Sequence, residues 1–538
     1  MDDRFSYSRI PLKPFYTPED IAGNDYTKQQ GNPGEFPFTR GIRLNPIGNE
    51  GWIPRELAGE GSPANTNRQL KYLLEKGQTG IDIIGDSPTM SCLDPDHPLG
   101  RASVGTQGVS LCRMQDFIEL YDGIPLGELT ISNSLPPYFG VAGLYLAARH
   151  QGVDSKKLRG SAIQAVMYGE DCSYGVNLPL SMRTRLATDS IRFCIEHLPR
   201  YHSFLEDTYF ISETGLDAVE EMALGFVEIR YLTRNLLAAG VDIDAFAPRI
   251  AILLNCKMDF FEEIAKVRAT RRLFARMMKE DFGAKDPRSL AVVIASHTSG
   301  LALTGEQAFN NISRGAIQAM ALALAGVQAV EISGFDEAYR TPSPESHLVG
   351  LRTQQVIQAE TNVGQVSDPL GGSYFVESLT DELAQRIWAA VEQMEGEGDI
   401  ATLSEGGYFR RIMVQAMERH AQQISDKTLQ KVGVNLYQIP EEDDKLLKEV
   451  KESKIDTAHK QIETIIQFKQ ERPQSQLSKA LSQLLHHARS SENNLMVPII
   501  DGFEAGATIG EMTGVLRLAS GLPYDPFELT QPPCELNP

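Results

Sequence analysis

From about residue 65 onward, short apolar runs alternate with longer amphipathic ones, and this alternation constrains the fold more than any other property of the chain. The runs Thr79–Asp86, Leu129–Ser134, Gly160–Val166, Thr208–Glu213, Arg249–Cys256, Leu290–Ser296 and Ala329–Gly334 have the length and composition of strands. Between them Asn67–Lys76, Tyr138–Gln151, Met182–His197, Leu216–Ala239 and Glu306–Leu324 read as helices. Alternation of this kind implies a parallel sheet with helices outside it, since parallel neighbours need a crossover long enough to hold a helix. Seven strands over about 300 residues fit an α/β fold of the (β/α)8 TIM-barrel type with one strand still to be found. A doubly wound open sheet is the alternative that the pattern alone leaves open.

The chain has 538 residues, more than one ordinary domain needs and enough for a large barrel with flanking segments. Residues 1–60 are rich in Pro, Gly and polar side chains and read as an N-terminal arm. The barrel is expected over 61–395. Beyond it the strand signal fades, and 396–538 reads as a mostly helical linker or wrapping segment. Asp381–Met394, Phe409–Gln423, Lys445–Glu471 and Gln474–Ser490 are its helical stretches, the first of them overlapping the barrel's end. The charged run Glu441–Lys454 reads as a solvated face or linker, with a docking surface as the alternative.

With 71 acidic against 51 basic residues the formal net charge is -20, which argues against a nucleic-acid surface but not against a local basic pocket for an anion. No apolar run approaches the roughly 20 residues needed to cross a bilayer, and Asp2, Asp3 and Arg4 do not open a signal peptide. Cys92, Cys112, Cys172, Cys194, Cys256 and Cys534 are scattered without a C-x-x-C pair, so neither a disulfide framework nor a metal site is expected. A reducing cytoplasm is the natural setting for such a chain.

Two stretches carry most of the functional information. One is Asp242-Ile243-Asp244-Ala245-Phe246-Ala247-Pro248-Arg249; the other is Asp259-Phe260-Phe261-Glu262-Glu263-Ile264-Ala265-Lys266-Val267-Arg268-Ala269. Phe36-Pro37-Phe38-Thr39-Arg40-Gly41, Asp94-Pro95-Asp96-His97-Pro98, Thr298-Ser299-Gly300, Phe335-Asp336-Glu337-Ala338 and Asp368-Pro369-Leu370-Gly371-Gly372-Ser373-Tyr374 accompany them in order. Together these resemble the large subunit of the methylmalonyl-CoA mutase family over most of the chain. The resemblance implies a (β/α)8 barrel that threads a thioester's pantetheine arm along its axis. It also implies adenosylcobalamin at the C-terminal mouth, where Co–C homolysis supplies a radical. The family's cobalamin domain carries Asp-x-His-x-x-Gly. Here only His97-Pro98-Leu99-Gly100 approaches that pattern, with Pro95 where Asp is required. The cobalamin domain is therefore expected on a separate small subunit.

The resemblance also implies roles for single residues. Arg183 matches the arginine that grips a substrate carboxylate. Leu93 stands where a tyrosine meets that carboxylate. Tyr209 matches a tyrosine near the departing adenosyl group, and Phe210 stands where a histidine bonds the thioester carbonyl. Glu213 and Gln328 match residues near the adenosyl ribose. His297 stands where the family has glutamine, Ala295 and Glu331 where it has histidines, and Val293 where it has arginine. As a hydrogen-bond donor, His297 is a candidate to take over from the lost histidine. In the arm Trp52 and Arg55 match residues that meet the corrin and coenzyme A, whereas Asn45-Pro46-Ile47 and Glu50 depart from the pattern.

The expected function is that of a large subunit isomerising an acyl-CoA other than methylmalonyl-CoA by a radical 1,2-shift. Tyr209 and His297 are the expected catalytic residues. Leu93, Arg183, Phe210 and Arg55 are expected at the substrate, and Glu213, Gln328 and Trp52 at the cofactor. The expected assembly is a dimer of large subunits or a heterotetramer with the small subunit. The rival is a degenerate, non-catalytic mutase-like subunit that supports a catalytic partner.

Overall fold

The computed structural model describes residues 4–44, 51–169, 178–452, 456–490 and 493–536. Asn45-Pro46-Ile47, Glu50 and Cys172 lie outside the described residues. A small antiparallel pair, β1 (Arg4–Phe5) and β2 (Pro11–Leu12), opens the chain. The main sheet follows with β3 (Ile53–Arg55), β4 (Leu57–Ala58), β5 (Gly80–Ile84), β6 (Thr130–Ser134), β7 (Arg159–Ile163), β8 (Tyr201–Asp207), β9 (Ile250–Cys256), β10 (Val293–Thr298) and β11 (Ala329–Glu331). Its order is β3-β11-β10-β9-β8-β7-β6-β5-β4. The two end strands are separated in sequence by Glu56 alone, so the order returns to its own start. This is the topology of a (β/α)8 barrel whose first strand is broken at Glu56, with helices in the crossovers.

Two strand assignments differ from the sequence reading. The first strand lies at Ile53–Ala58, within the segment read as an arm. It is short and carries Pro54, which hides it from a search for long apolar runs. The fifth full strand is Tyr201–Asp207 rather than Thr208–Glu213. The aromatic and β-branched residues after 207 suggest strand, but the Asp207 carboxylate accepts the N–H of Phe210 at 3.2 Å and starts a short helix, Thr208–Ser212, instead.

By its contacts the chain divides into two compact units: Met1–Glu56 with Glu206–Ser453, and Leu57–Leu205 with Lys454–Pro538. In the first unit the helix Phe260–Arg276 is the central element, and buried cations make it so. Lys266 donates to Glu221 at 3.0 Å and to the Asn255 carbonyl at 2.6 Å. Arg268 pairs with Glu377 at 2.6 Å and with Asp368. Arg271 donates to the carbonyls of Ala325 and Gly326, the end of the helix Asn310–Ala325, at 2.7 and 2.6 Å. The family-like run around Lys266 is thus the fastening of this half-sheet to its helices.

In the second unit the C-terminal helices Gln474–Arg489, Met496–Glu504 and Ile509–Ala519 join the helix Pro137–His150 in one apolar core. Phe503 meets Phe117 and Phe139 edge-on at 5.8 and 5.9 Å. Inside the sheet Tyr121, Asn133, Tyr201 and the Ser161 carbonyl form a buried hydrogen-bonded chain of 2.8, 3.1 and 2.6 Å. Among the described residues no helix is long and apolar enough to cross a membrane.

Gly160 pairs with Ile131 in the β6–β7 register at φ +141°, and a Cβ there would sit 1.8 Å from the Ile131 carbonyl oxygen. Backbone contact of this kind leaves no room for a methyl group. Gly160→Ala is expected to lower stability by about 3 kcal/mol or more, read as a large fall in the thermal midpoint or loss of soluble chain. A near-normal melt would show that the strands do not approach so closely.

Candidate active site at the strand ends

Four strands of the first unit are in register and build two rows on one face. Leu253, Ala295, Ala329 and Ile53 form an apolar row; Asn255, His297, Glu331 and Arg55 form the polar row two residues further on. The polar row lies at the C-terminal ends of the strands, where parallel barrels carry their active sites. Val293 and Ala295 precede His297 on the same face and are half-buried.

Within the polar row His297 Nε2 lies 3.1 Å from Glu331 Oε2, and both residues are 5% exposed. The Tyr209 ring meets the His297 ring edge-on, with centroids 4.9 Å apart at 62°. Glu213, which ends the short helix carrying Tyr209, is held at both oxygens. Oε1 accepts from Asn255 Nδ2 and Ser299 Oγ, each at 2.7 Å, and Oε2 accepts from the Leu301 N–H at 2.6 Å. Gly300 closes this cradle: a Cβ there would stand 3.0 Å from Glu213 Oε2 and 3.6 Å from the Tyr209 hydroxyl.

So many carboxyls in one place shift one another. Burial, then the Glu213, Glu337 and Glu331 carboxylates, push the Tyr209 phenol well above its ordinary value, against a hydrogen bond to Ser333. Glu337 is pushed up to about 7 by burial. The Gly334 N–H at 2.8 Å works the other way, Glu213 adds to the rise and His297 opposes it. Glu56, at the break between β3 and β4, is raised well above its ordinary value by burial and by Glu331, while Gln354 opposes the rise.

The structure brings Tyr209, Glu213, His297 and Arg55 to one end of the half-sheet, with half-buried Phe210 on the same short helix as Tyr209. Trp52 and Gln328 lie elsewhere on the half-sheet. Both sit just before the first residue of a strand, at the opposite end. Trp52 is 2% exposed and gives its indole N–H to Gln354 at 3.0 Å. The Gln328 side chain accepts from the Ile294 N–H at 2.9 Å and donates to the Gly326 carbonyl at 2.9 Å. These bonds make Trp52 and Gln328 fastenings between strand and helix and between strand and strand.

Leu93 and Arg183 belong to the second unit. Leu93 is half-buried and follows Cys92, which adopts φ +52°. Asp94 anchors this turn by accepting from Thr508 Oγ1 and Gly510 N at 2.5 and 2.9 Å, and Lys469 joins Asp94 and Asp96 at 2.8 Å each. Arg183, in the first turn of the helix Leu180–His197, donates to the carbonyls of Val166 and Leu178 at 2.5 and 3.1 Å.

Sequence reasoning passed over Asn255 and named Glu331, Glu337 and Ser299 only as parts of motifs or substitutions. Asn255 had a signal, a lone amide near the end of the otherwise apolar β9. The methylmalonyl-CoA mutase family model matches residues 5–522. The chain is 33% identical over 510 residues to the 2-hydroxyisobutanoyl-CoA mutase large subunit of Aquincola tertiaricarbonis, covering 94% of this chain and 90% of that one. It is 32% identical over 516 residues to the methylmalonyl-CoA mutase of Rhizobium meliloti strain 1021, at 95% and 72% coverage. The Escherichia coli K12 methylmalonyl-CoA mutase is 31% identical over 513 residues, at 95% and 71%. A parallel barrel with relatives of this kind is an acyl-CoA mutase, an isomerase of an adenosylcobalamin-dependent class. The chain belongs to the methylmalonyl-CoA mutase family.

The Glu337 shift has a sign that can be tested. Its folded-state value of about 7 lies above the ordinary 4.5, so the folded chain keeps a proton that the unfolded chain has released between those values. Stability therefore falls as pH rises through that window. Glu337→Gln is expected to stabilise the chain at pH 8 relative to wild type, on the order of 1 kcal/mol or more, and to do little at pH 5. Chemical denaturation at the two pH values measures it. An equal effect at both would mean that Glu337 is ionised throughout.

Proposed function

We propose that the chain is the large, substrate-binding subunit of an adenosylcobalamin-dependent carbon-skeleton mutase, acting on an acyl-CoA other than methylmalonyl-CoA. The Glu213 cradle carries the catalytic half of this reading. Glu213, fixed by Asn255, Ser299 and the Leu301 N–H beside Tyr209 and an open Gly300, suits a hydroxyl-bearing adenosyl group. When bound, adenosylcobalamin supplies the radical that starts the rearrangement. The chain's own residues orient the acyl group and keep water away: Tyr209 walls the site, His297 donates a hydrogen bond to the thioester carbonyl, and Arg55 approaches the coenzyme A handle.

The substrate reading rests on Leu93 and Phe210. Each is an apolar side chain where the family pattern has a donor, and neither can bond a carboxylate or carbonyl. They favour a bulkier or less polar acyl group, while Arg183 favours one that keeps a carboxylate. The 2-hydroxyisobutanoyl-CoA mutase relative is named a large subunit. That supports a separate small cobalamin-binding partner with Asp-x-His-x-x-Gly, in a cytoplasmic dimer of large subunits or a heterotetramer. The apolar replacements also fit a non-catalytic supporting subunit, and turnover separates the two readings.

With the small subunit added, a panel of acyl-CoAs is expected to show one good substrate and slow succinyl-CoA formation from methylmalonyl-CoA. Each missing hydrogen bond costs about 1 kcal/mol or more. Efficient methylmalonyl-CoA turnover would overturn the substrate reading, and turnover of none would favour the supporting role. Arg183→Ala is expected to cost about 2–5 kcal/mol if the substrate carries a carboxylate in a dry pocket, about 30-fold or more in kcat/KM. Arg183→Lys should restore part of that, with thermal melting as the control for folding. A folded Arg183→Ala variant of near-normal activity would mean a neutral acyl group.

A further inference from the structure

Asn255 interrupts the otherwise apolar β9, and its polar atoms are committed with one exception. Its backbone N–H goes to Glu221 at 3.1 Å, and its carbonyl accepts from the Lys266 ammonium at 2.6 Å. Its side-chain Nδ2 donates to Glu213 Oε1 at 2.7 Å. The same Glu221 accepts from Thr208 at 3.2 Å and from Ser212 at 2.9 Å, both in the short helix that Glu213 ends. Both ends of the Asn255–Glu213 bond therefore hang from one buried ion pair, and the fold sets its length. The exception is Oδ1. Asn255 is fully buried, and this oxygen accepts from nothing. A buried acceptor without a donor costs free energy, and an apolar side chain of the same shape would avoid that cost. Stability alone does not account for an amide at this position.

The other end of the bond supplies a reason. A carboxylate has about four acceptor sites. On Glu213 three of them are filled: two on Oε1 by Asn255 and Ser299, and one on Oε2 by the Leu301 N–H. The open site is on Oε2, the oxygen beside Gly300, where a Cβ would stand only 3.0 Å away. We infer that Asn255 is a positioning residue for Glu213: it holds Oε1 so that the open site on Oε2 is presented to a hydroxyl of the adenosyl group. Asn255 acts through Glu213 alone. This functional half rests on the mutase reading above; the orientation half does not.

Substitution at 255 removes the amide and leaves the main-chain bonds to Glu221 and Lys266, which any residue with an N–H supplies. Asn255→Leu, close to Asn in shape, is expected to fold and to melt near or above wild type. Asn255→Ala, which is smaller, serves if Leu does not fit. Crystal structures of the full chain without ligand are expected to show Glu213 turned from its wild-type orientation in the variants. Glu213 in its wild-type place overturns the orientation half. With the small subunit added, adenosylcobalamin and methylcobalamin are then compared, since they share the corrin and differ in the upper group. Wild type is expected to prefer adenosylcobalamin. The variants are expected to bind it about tenfold more weakly, the worth of roughly one hydrogen bond to a charged group, with methylcobalamin affinity unchanged. A purely structural role would weaken both cobalamins together, and that result overturns the inference. So does an unaltered preference in a folded variant. Melting far below wild type in both variants would make Asn255 a packing residue and overturn it as well. A wild-type chain that does not distinguish the two cobalamins overturns the mutase reading and the functional half with it, while the crystal structures still decide the orientation half.

Discussion

The buried contact of Lys266 with Glu221 organises the first unit and, through it, the candidate site. Both side chains are at most 1% exposed. Burial works against the lysine's charge, but the Glu221 and Glu263 carboxylates outweigh it and hold the ammonium above its ordinary range. Each partner then spends its remaining capacity on backbone and side chains of the site. Lys266 takes the Asn255 carbonyl, while Glu221 takes the Asn255 N–H at 3.1 Å, Thr208 at 3.2 Å and Ser212 at 2.9 Å. The end of β9 and the short helix after β8 are thereby fixed to one ion pair. Removing either partner would leave a buried charge, a cost of about 3–5 kcal/mol, and would free the elements that carry Asn255, Tyr209 and Glu213.

Above this foundation the mouth of the half-sheet is unusually acidic. Glu56, Glu213, Glu331 and Glu337 gather near one imidazole and one phenol. The result is a division of labour by environment. Glu213 accepts from three donors, which fix its orientation and leave room for one more. Glu56 is held well above its ordinary range by burial and by Glu331, and Glu337 is pushed up to about 7. Glu331 lies 3.1 Å from the histidine. His297 and Glu331 thus set one basic and one acidic side chain in register across a pair of adjacent strands.

Helices such as Leu180–His197 and Gln474–Arg489 were legible from their periodicity, whereas Phe260–Arg276, buried all round, has no polar face to mark it. Strands β5, β6, β7 and β9 were legible because both faces of a parallel strand are buried and read as apolar runs. Tyr201–Asp207 was missed because its alternating polar residues and the aromatic run after it inverted the signal. Ile53–Ala58 was missed because a five- to six-residue strand holding Pro54 and Glu56 has no periodicity of its own.

The sequence by itself determined the family and the barrel order, because motif order and strand–helix alternation are properties of the chain read in one dimension. It also flagged Leu93, Phe210 and His297 as departures, because a change of side-chain chemistry is visible in the letters. Only the tertiary structure decided that Trp52 and Gln328 are fastenings and that Glu331 is the partner of His297. Residues 34 positions apart become neighbours when parallel strands pair in register, and the register is set by backbone hydrogen bonds that no local pattern records.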